Sequence, residues 1–262
     1  MTIRDQTTPR HDPSRFIEPT RTTAAEVSYR QRLEEYFSRG AATNVEKLQN
    51  FPKYVPVQDL RRFLCRYEIF QKVLNVHGSI LECGVLMGGG LMTWAALSEI
   101  FEPVNHIRNI VGFDTFEGFA SVAAEDRTMT AVHGKVGGLA VDAFDDLQEA
   151  IALYDENRLL KHIAKVKLVR GDIMTTAPQF LEQNPHTVVS LLWLDFDTFE
   201  PTATALRHFL PRMPKGAVIA FDELNHEVWP GETVAVIQSV GLRNLRIERF
   251  PWGSTVSFAV LD

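Results

Sequence analysis

"LLWLDFDTFEPT", residues 191–202, is the stretch whose reading decides the fold. Mostly apolar residues run straight into Asp195 and Asp197, two positions apart. Side chains alternate faces along a strand, so the two acids share a face if the extended backbone persists to its end. The bland reading is helix capping, with Asp197 at the N-cap and Glu200 three residues later closing a capping box ahead of "PTATALRHFL". Capping accounts for one acid, and the rest of the chain must account for the other.

Outward from this stretch, short apolar runs alternate with longer amphipathic ones from Ser79 onward: "SILECGV", "GLMTWAALSEIF", "NIVGFD", "DDLQEAIALYDENRLL", "VKLVRGD", "VVSLLWLD", "EPTATALRHFL", "GAVIAFDE", "ETVAVIQSV", "LRIERF" and "STVSFAVLD". Continuous apolar strands between helices predict a parallel sheet covered on both faces, which binds ligands beyond the carboxyl ends of its strands. The last two runs are separated by the short turn "PWG", which predicts a hairpin and so an antiparallel strand at the C-terminus. Ahead of the sheet, "AEVSYRQRLEEYFSRG" and "VQDLRRFLCRYEIFQKVLNV" carry apolar residues at helical spacing. The expected organisation is a loose polar arm over 1–25, a helical layer over 26–78 and an α/β core over 79–262. Residues 120–139, "ASVAAEDRTMTAVHGKVGGL", exceed the usual βα connection and read as a mobile lid, with Arg127 and Lys135 as candidate diphosphate contacts.

The whole chain narrows the function. A net charge of −6 over 262 residues argues against a nucleic-acid surface and for a small-molecule substrate. No apolar run approaches the ~18 residues of a membrane helix, and the polar N-terminus has no signal-peptide pattern. Cys65 and Cys83 are isolated, which disfavours disulfides or zinc and fits a cytoplasmic protein.

Acids recur at the strand ends. The first strand runs into a turn with Gly84, Gly88, Gly89 and Gly90, where a ligand can approach the backbone at a helix N-terminus. Asp114 ends the second strand and suits two ribose hydroxyls, or a turn-initiating Asx. Asp172 ends the third and either accepts from an adenine amino group or caps a turn. The fifth ends at Asp222 and Glu223. Asp195, Asp222 and Glu223 come from neighbouring strands and converge at one rim, where a hard divalent cation such as Mg²⁺ or Ca²⁺ resolves the repulsion.

Together, "LECGVLMGGG", "GFDTFEGF", "VRGD", "LLWLDFDTFEPTATAL" and "PRMPKGAVIAFDE" resemble the macrocin O-methyltransferase family, from about Asn50 to the C-terminus. The resemblance implies a class I, Rossmann-like, mostly parallel seven-stranded sheet with an antiparallel C-terminal strand. It implies transfer of a methyl group from S-adenosylmethionine to a sugar hydroxyl in an antibiotic pathway. It places Glu82, Cys83, Gly84, Gly88 and Gly89 at the methionine end of the cofactor, Asp114 at the ribose and Asp172 at the adenine. Asp195, Asp222 and Glu223 become Mg²⁺ ligands and Asp197 the general base. The family often has two aspartates where this chain has Asp222 and Glu223.

A sugar hydroxyl is a poor nucleophile, so the reaction needs a polarising metal, a base and in-line positioning, and the paired aspartates divide that labour. His133, His226 and Trp229 are secondary candidates, while Arg61 and Arg62 read as a solvated helix face. The helical layer offers an interface for a homo-oligomer. Competing readings are a nicotinamide oxidoreductase, which leaves the acid pairs unexplained and lacks G-x-G-x-x-G, and a non-catalytic cofactor-binding subunit.

Overall fold

The computed structural model describes residues 17–19, 21–253 and 255–262. Most of the expected arm therefore lies outside the described residues. The chain divides into two compact units, residues 1–57 and 58–262.

In the first unit, helix α1 (Ala24–Arg39) opens on a capping box in which Thr23 accepts from the Glu26 N–H and the Glu26 carboxylate accepts in return from Thr23. Thr43 and Glu46 repeat the device at α2 (Asn44–Gln49). Lys47 donates to the Phe37 carbonyl at 2.5 Å and lies over the Phe37 ring, beside an aromatic cluster with Tyr36 and Tyr54. No residue of α1 is buried, and Tyr29, Val45, Leu48 and Phe51 are exposed.

The second unit begins in α3 (Val57–Val73) and contains a seven-stranded sheet. Its elements run β1 (Ser79–Cys83), α4 (Gly89–Phe101), β2 (Ile110–Asp114), α5 (Phe144–Glu156), β3 (Val166–Arg170), α6 (Ile173–Gln183), β4 (Val189–Leu194), α7 (Phe199–Phe209), β5 (Val218–Phe221), α8 (Gly231–Ser239), β6 (Ile247–Arg249) and β7 (Ser257–Val260). The strand order is β3-β2-β1-β4-β5-β7-β6, parallel except for β7, which runs antiparallel to both β5 and β6. The predicted sheet and hairpin are thus both present. No helix of the described residues is long and apolar enough to cross a membrane.

Strands β1, β4 and β5 are buried along their whole length because helices cover both faces, which explains their unbroken apolar runs. From β1 the chain builds outward through β2 and β3, then returns to place β4 on the other side of β1. That reversal opens a crevice between the carboxyl ends of β1 and β4.

Arg108 holds the opposite end of the sheet. It is 3% exposed, pairs with Glu102 at 2.7 Å, and donates to the carbonyls of Val73, Val76 and Gly78 and to Ser190 Oγ. One guanidinium thus closes α3 and joins the entries of β1 and β4. Replacing Arg108 with alanine takes the cation from the half-buried Glu102, which keeps Ser98 and Asn105, and removes the side-chain donor from several carbonyls. Urea denaturation should show a loss of about 3–5 kcal/mol, the usual cost of breaking a buried pair.

Candidate functional site

A cavity of about 460 Å³ lies at the switch point, lined by Gly84, Val85, Leu86, Gly89, Asp114, Asp172, Asp195 and Asp197 and by Arg62, Phe63 and Arg66 of α3. Its size suits a small-molecule site.

The glycine turn is shaped more by packing than by ligand access. Gly84 has φ +96°, and a Cβ there would sit 2.0 Å from the Asp195 carbonyl oxygen, so the ends of β1 and β4 can meet only at a glycine. Gly88 takes a left-handed conformation at the N-cap of α4 with Leu147 against it, and Gly90 lies against Glu82 and Arg66. Only Gly89 of the four opens onto space, and it lines the cavity.

Asp114 clamps this turn. One carboxylate oxygen accepts from the Val85 and Leu86 N–H groups at 2.7 and 2.8 Å, and the other from Phe116 at 2.7 Å. The Asx reading is therefore present, while the residue still lines the cavity with lone pairs to offer. Asp172 likewise caps α6 by accepting from Met174 N–H at 3.0 Å and also faces the cavity. Cys83 is wholly buried, and burial pushes its thiol well up.

Glu82 lies under the cavity, 1% exposed, accepting from the Trp94 indole at 2.5 Å with Arg66 at 3.9 Å. Arg66 stacks over Trp193 at 4.2 Å, and the Trp193 indole donates to Asp195 at 3.3 Å. Burial raises the Glu82 carboxyl to about 7, against the pull of Arg66 and Trp94. The folded state then holds a proton that the unfolded state has lost, so stability falls as pH rises from about 4.5 to about 7. Denaturation across that window should show a shallower decline in Glu82→Gln than in the wild type.

At the next strand ends, ligand atoms of Asp195, Asp197 and Glu223 lie within 4.8 Å of one another. Strand β4 ends at Leu194 and Asp197 adopts φ +61°, so the extended backbone does not persist. The two aspartates converge through this turn instead. Burial first, then neighbouring carboxylates, raises all three acids, Asp197 to about 7 and Asp195 and Glu223 well above the usual range. Asp222 stands beside them, only 2% exposed, paired with Arg62 at 3.0 Å. Arg62 does lie on an exposed helix face, its side chain 53% accessible, yet α3 also delivers its guanidinium to the acidic rim. Of the expected metal ligands, Asp195 and Glu223 meet directly, Asp197 joins them, and Asp222 takes the arginine.

Capping by Asp197 is not what the structure contains. Thr198 is the N-cap of α7 and makes no side-chain cap. The acceptor comes from the connection over 120–139: buried Asp126 accepts from Phe199 N–H at 3.0 Å and from Ala123 N–H at 3.0 Å. Trp229, buried, packs on Phe119. His133, His226, Arg127 and Lys135 are not among the residues lining the cavity, and Arg127 donates to the Ala124 carbonyl.

Sequence reading missed Arg66, Trp94, Trp193, Asp126 and Glu232. Glu232, wholly buried in the first turn of α8, accepts from the Glu223 N–H at 3.1 Å. In the sequence nothing sets it apart from any other acid in the first turn of a helix. Asp126 had no local signal, because its partner lies 73 residues on.

An open sheet in this order, with its cavity at the switch point and acids beyond β4 and β5, is a class I methyltransferase architecture. The chain belongs to the macrocin O-methyltransferase family, whose profile matches residues 60–238. The crystal structure of CalS11, calicheamicin methyltransferase, superposes with a TM-score of 0.87 at 30% identity, covering 98% of this chain and 99% of that one. The apo structure of CalS11, described as TDP-rhamnose 3'-O-methyltransferase, gives 0.79 at 30% identity, covering 91% and 95%. The O-methyltransferase NovP shares the fold at 21% identity, with a TM-score of 0.60 over 76% of this chain and 79% of that one. A tetracenomycin-pathway enzyme of Streptomyces olivaceus, 8-demethyl-8-(2,3-dimethoxy-alpha-L-rhamnosyl)-tetracenomycin-C 4'-O-methyltransferase, is 28% identical over 153 residues, and the match spans 57% of this chain and 54% of that enzyme.

Gly231 is where the connection over 120–139 meets this rim. A Cβ there would lie 2.3 Å from Asp126 Oδ1 and 2.6 Å from Phe199 N, and the backbone nitrogen cannot swing aside. Gly231→Ala should cost about 1–3 kcal/mol by thermal or urea unfolding and should speed amide exchange at Phe199.

Proposed function

We propose that this chain transfers a methyl group from S-adenosylmethionine to a hydroxyl of a sugar, either a nucleotide-activated deoxysugar such as TDP-rhamnose or a glycoside, within a natural-product pathway. The observation that carries the reading is the meeting of Asp195, Asp197 and Glu223, of which Asp195 and Asp197 line the same cavity as the glycine turn. Family membership and the full-length likeness to CalS11 support it.

The residues fit a hard divalent cation. Every donor is a carboxylate oxygen, and Glu223 Oε2 and Asp222 Oδ1 are buried without a hydrogen-bond partner among the described residues. Asp195 and Glu223, with Asp222 once released from Arg62, would hold Mg²⁺. Bound there, the cation polarises an acceptor hydroxyl and neutralises the carboxylates.

The chain's own groups do the rest. Glu82 and the turn from Gly84 to Gly89 would receive the methionine end of the cofactor, with Asp114 at the ribose and Asp172 at the adenine. Asp197 would take the hydroxyl proton as the sugar oxygen bonds to the methyl carbon and the sulfur–methyl bond breaks, leaving a neutral thioether. Its seat beside Asp195 and Glu223 brings the base to the place where the hydroxyl is held. The exposed apolar side chains on α1 and α2 favour a homo-oligomer.

Incubating the protein with S-adenosylmethionine, Mg²⁺ and a panel of nucleotide sugars should yield one product heavier by a single methyl in mass spectrometry. Turnover should vanish on chelation and return with Mg²⁺. Asp197→Asn should reduce kcat by about 10²–10⁴ while melting temperature and S-adenosylhomocysteine affinity stay near wild type. A near-normal kcat in that variant removes Asp197 as the base.

A further inference from the structure

Glu232 is an expensive residue where it stands. It is 0% exposed in the first turn of α8, one residue past the Gly231 that packs against Asp126. One carboxylate oxygen accepts from the Glu223 N–H at 3.1 Å, and the other is buried with no hydrogen-bond partner among the described residues. No ion pair among the described residues involves it, and its charged neighbours are Asp222, Asp195 and Asp197. The helix N-terminus offsets part of that charge, by less than ~2 kcal/mol. A buried acid set among other acids, with no ion pair among the described residues, costs stability and calls for another reason to be there.

The bond to Glu223 shows what that is. Beyond β5 the bonding to β4 ends with the Asp222 N–H on the Leu194 carbonyl at 3.1 Å; the Glu223 carbonyl then accepts from His226 N–H in a turn, and its own N–H has no partner in the sheet. Glu232 reaches back nine residues and fixes it. We propose that Glu232 is a positioning residue for the cation site: it holds the Glu223 main chain so that its carboxylate meets Asp195 and Asp197, and it places one further negative charge behind them. The inference rests on the cation reading above. Groups of this kind behind metal ligands are typically worth 10- to 100-fold in metal affinity.

The test is calorimetric titration of Mg²⁺ or Mn²⁺ alone into the protein saturated with S-adenosylhomocysteine, without acceptor or turnover. Glu232→Gln keeps the shape and an acceptor for the Glu223 N–H but removes the charge, and Glu232→Ala removes both. Glu232→Gln should weaken cation binding at least tenfold and Glu232→Ala further. S-adenosylhomocysteine affinity should stay within about twofold, and Glu232→Gln without cation should melt no lower than the wild type. A purely structural role gives the opposite pattern, a lowered melting temperature with unchanged cation affinity, and overturns the proposal. If Glu232→Ala does not fold, Glu232→Met, which removes the acceptor at similar volume, takes its place beside Glu232→Gln. A wild-type protein that takes up no cation overturns the cation reading itself, and this inference with it.

Discussion

Asp195, Asp197, Asp222 and Glu223 stand beyond the ends of two adjacent strands, with Glu232 behind them, and among the described residues only Asp222 has an ion-pair partner. Gathering like charges away from water is unfavourable by several kcal/mol per group unless protons or a cation compensate. The surroundings are organised around that penalty. Arg62 comes in from α3, the Trp193 indole engages Asp195, and the N-terminus of α8 faces Glu232. The sheet makes the arrangement possible, since the parallel pairing of β4 with β5 delivers Asp195 and Asp222 side by side, one residue beyond the paired Leu194 and Phe221.

The sheet was legible in the sequence because strands covered on both faces must be apolar throughout, and β1, β4 and β5 are. The final hairpin was legible from the turn residues "PWG" between two apolar runs, although the connection from Arg249 to Ser257 is longer than that turn alone. Acids at strand ends pointed to the crevice for the same reason, as an acid that closes an apolar run has nowhere to go but the rim. What could not be read is pairing across long separations. Arg62 lies on an exposed helix face by its spacing, and only the packing of α3 shows that it meets Asp222, 160 residues later. The turn at Asp197 was hidden too, because a positive φ at an aspartate leaves no mark on the pattern of apolar residues.

The glycines carry a related lesson. Four of them between Gly84 and Gly90 suggest a cradle for a ligand, yet most are demanded by the protein's own close approaches. A glycine-rich turn is evidence of crowding, and only the structure tells whether a ligand or a neighbouring strand does the crowding. Here the carbonyl of Asp195 crowds Gly84, which ties the glycine turn to the acidic rim through backbone atoms.

Asp114 gives that tie a thermodynamic meaning. With two N–H groups of the turn and a third from its own loop already on its carboxylate, the turn is set before any ligand arrives. Little chain entropy remains to be lost on binding. Under the proposed function, a spent cofactor would leave behind the same rigid turn that its precursor met, so the frame the two share would not have to be rebuilt at each cycle.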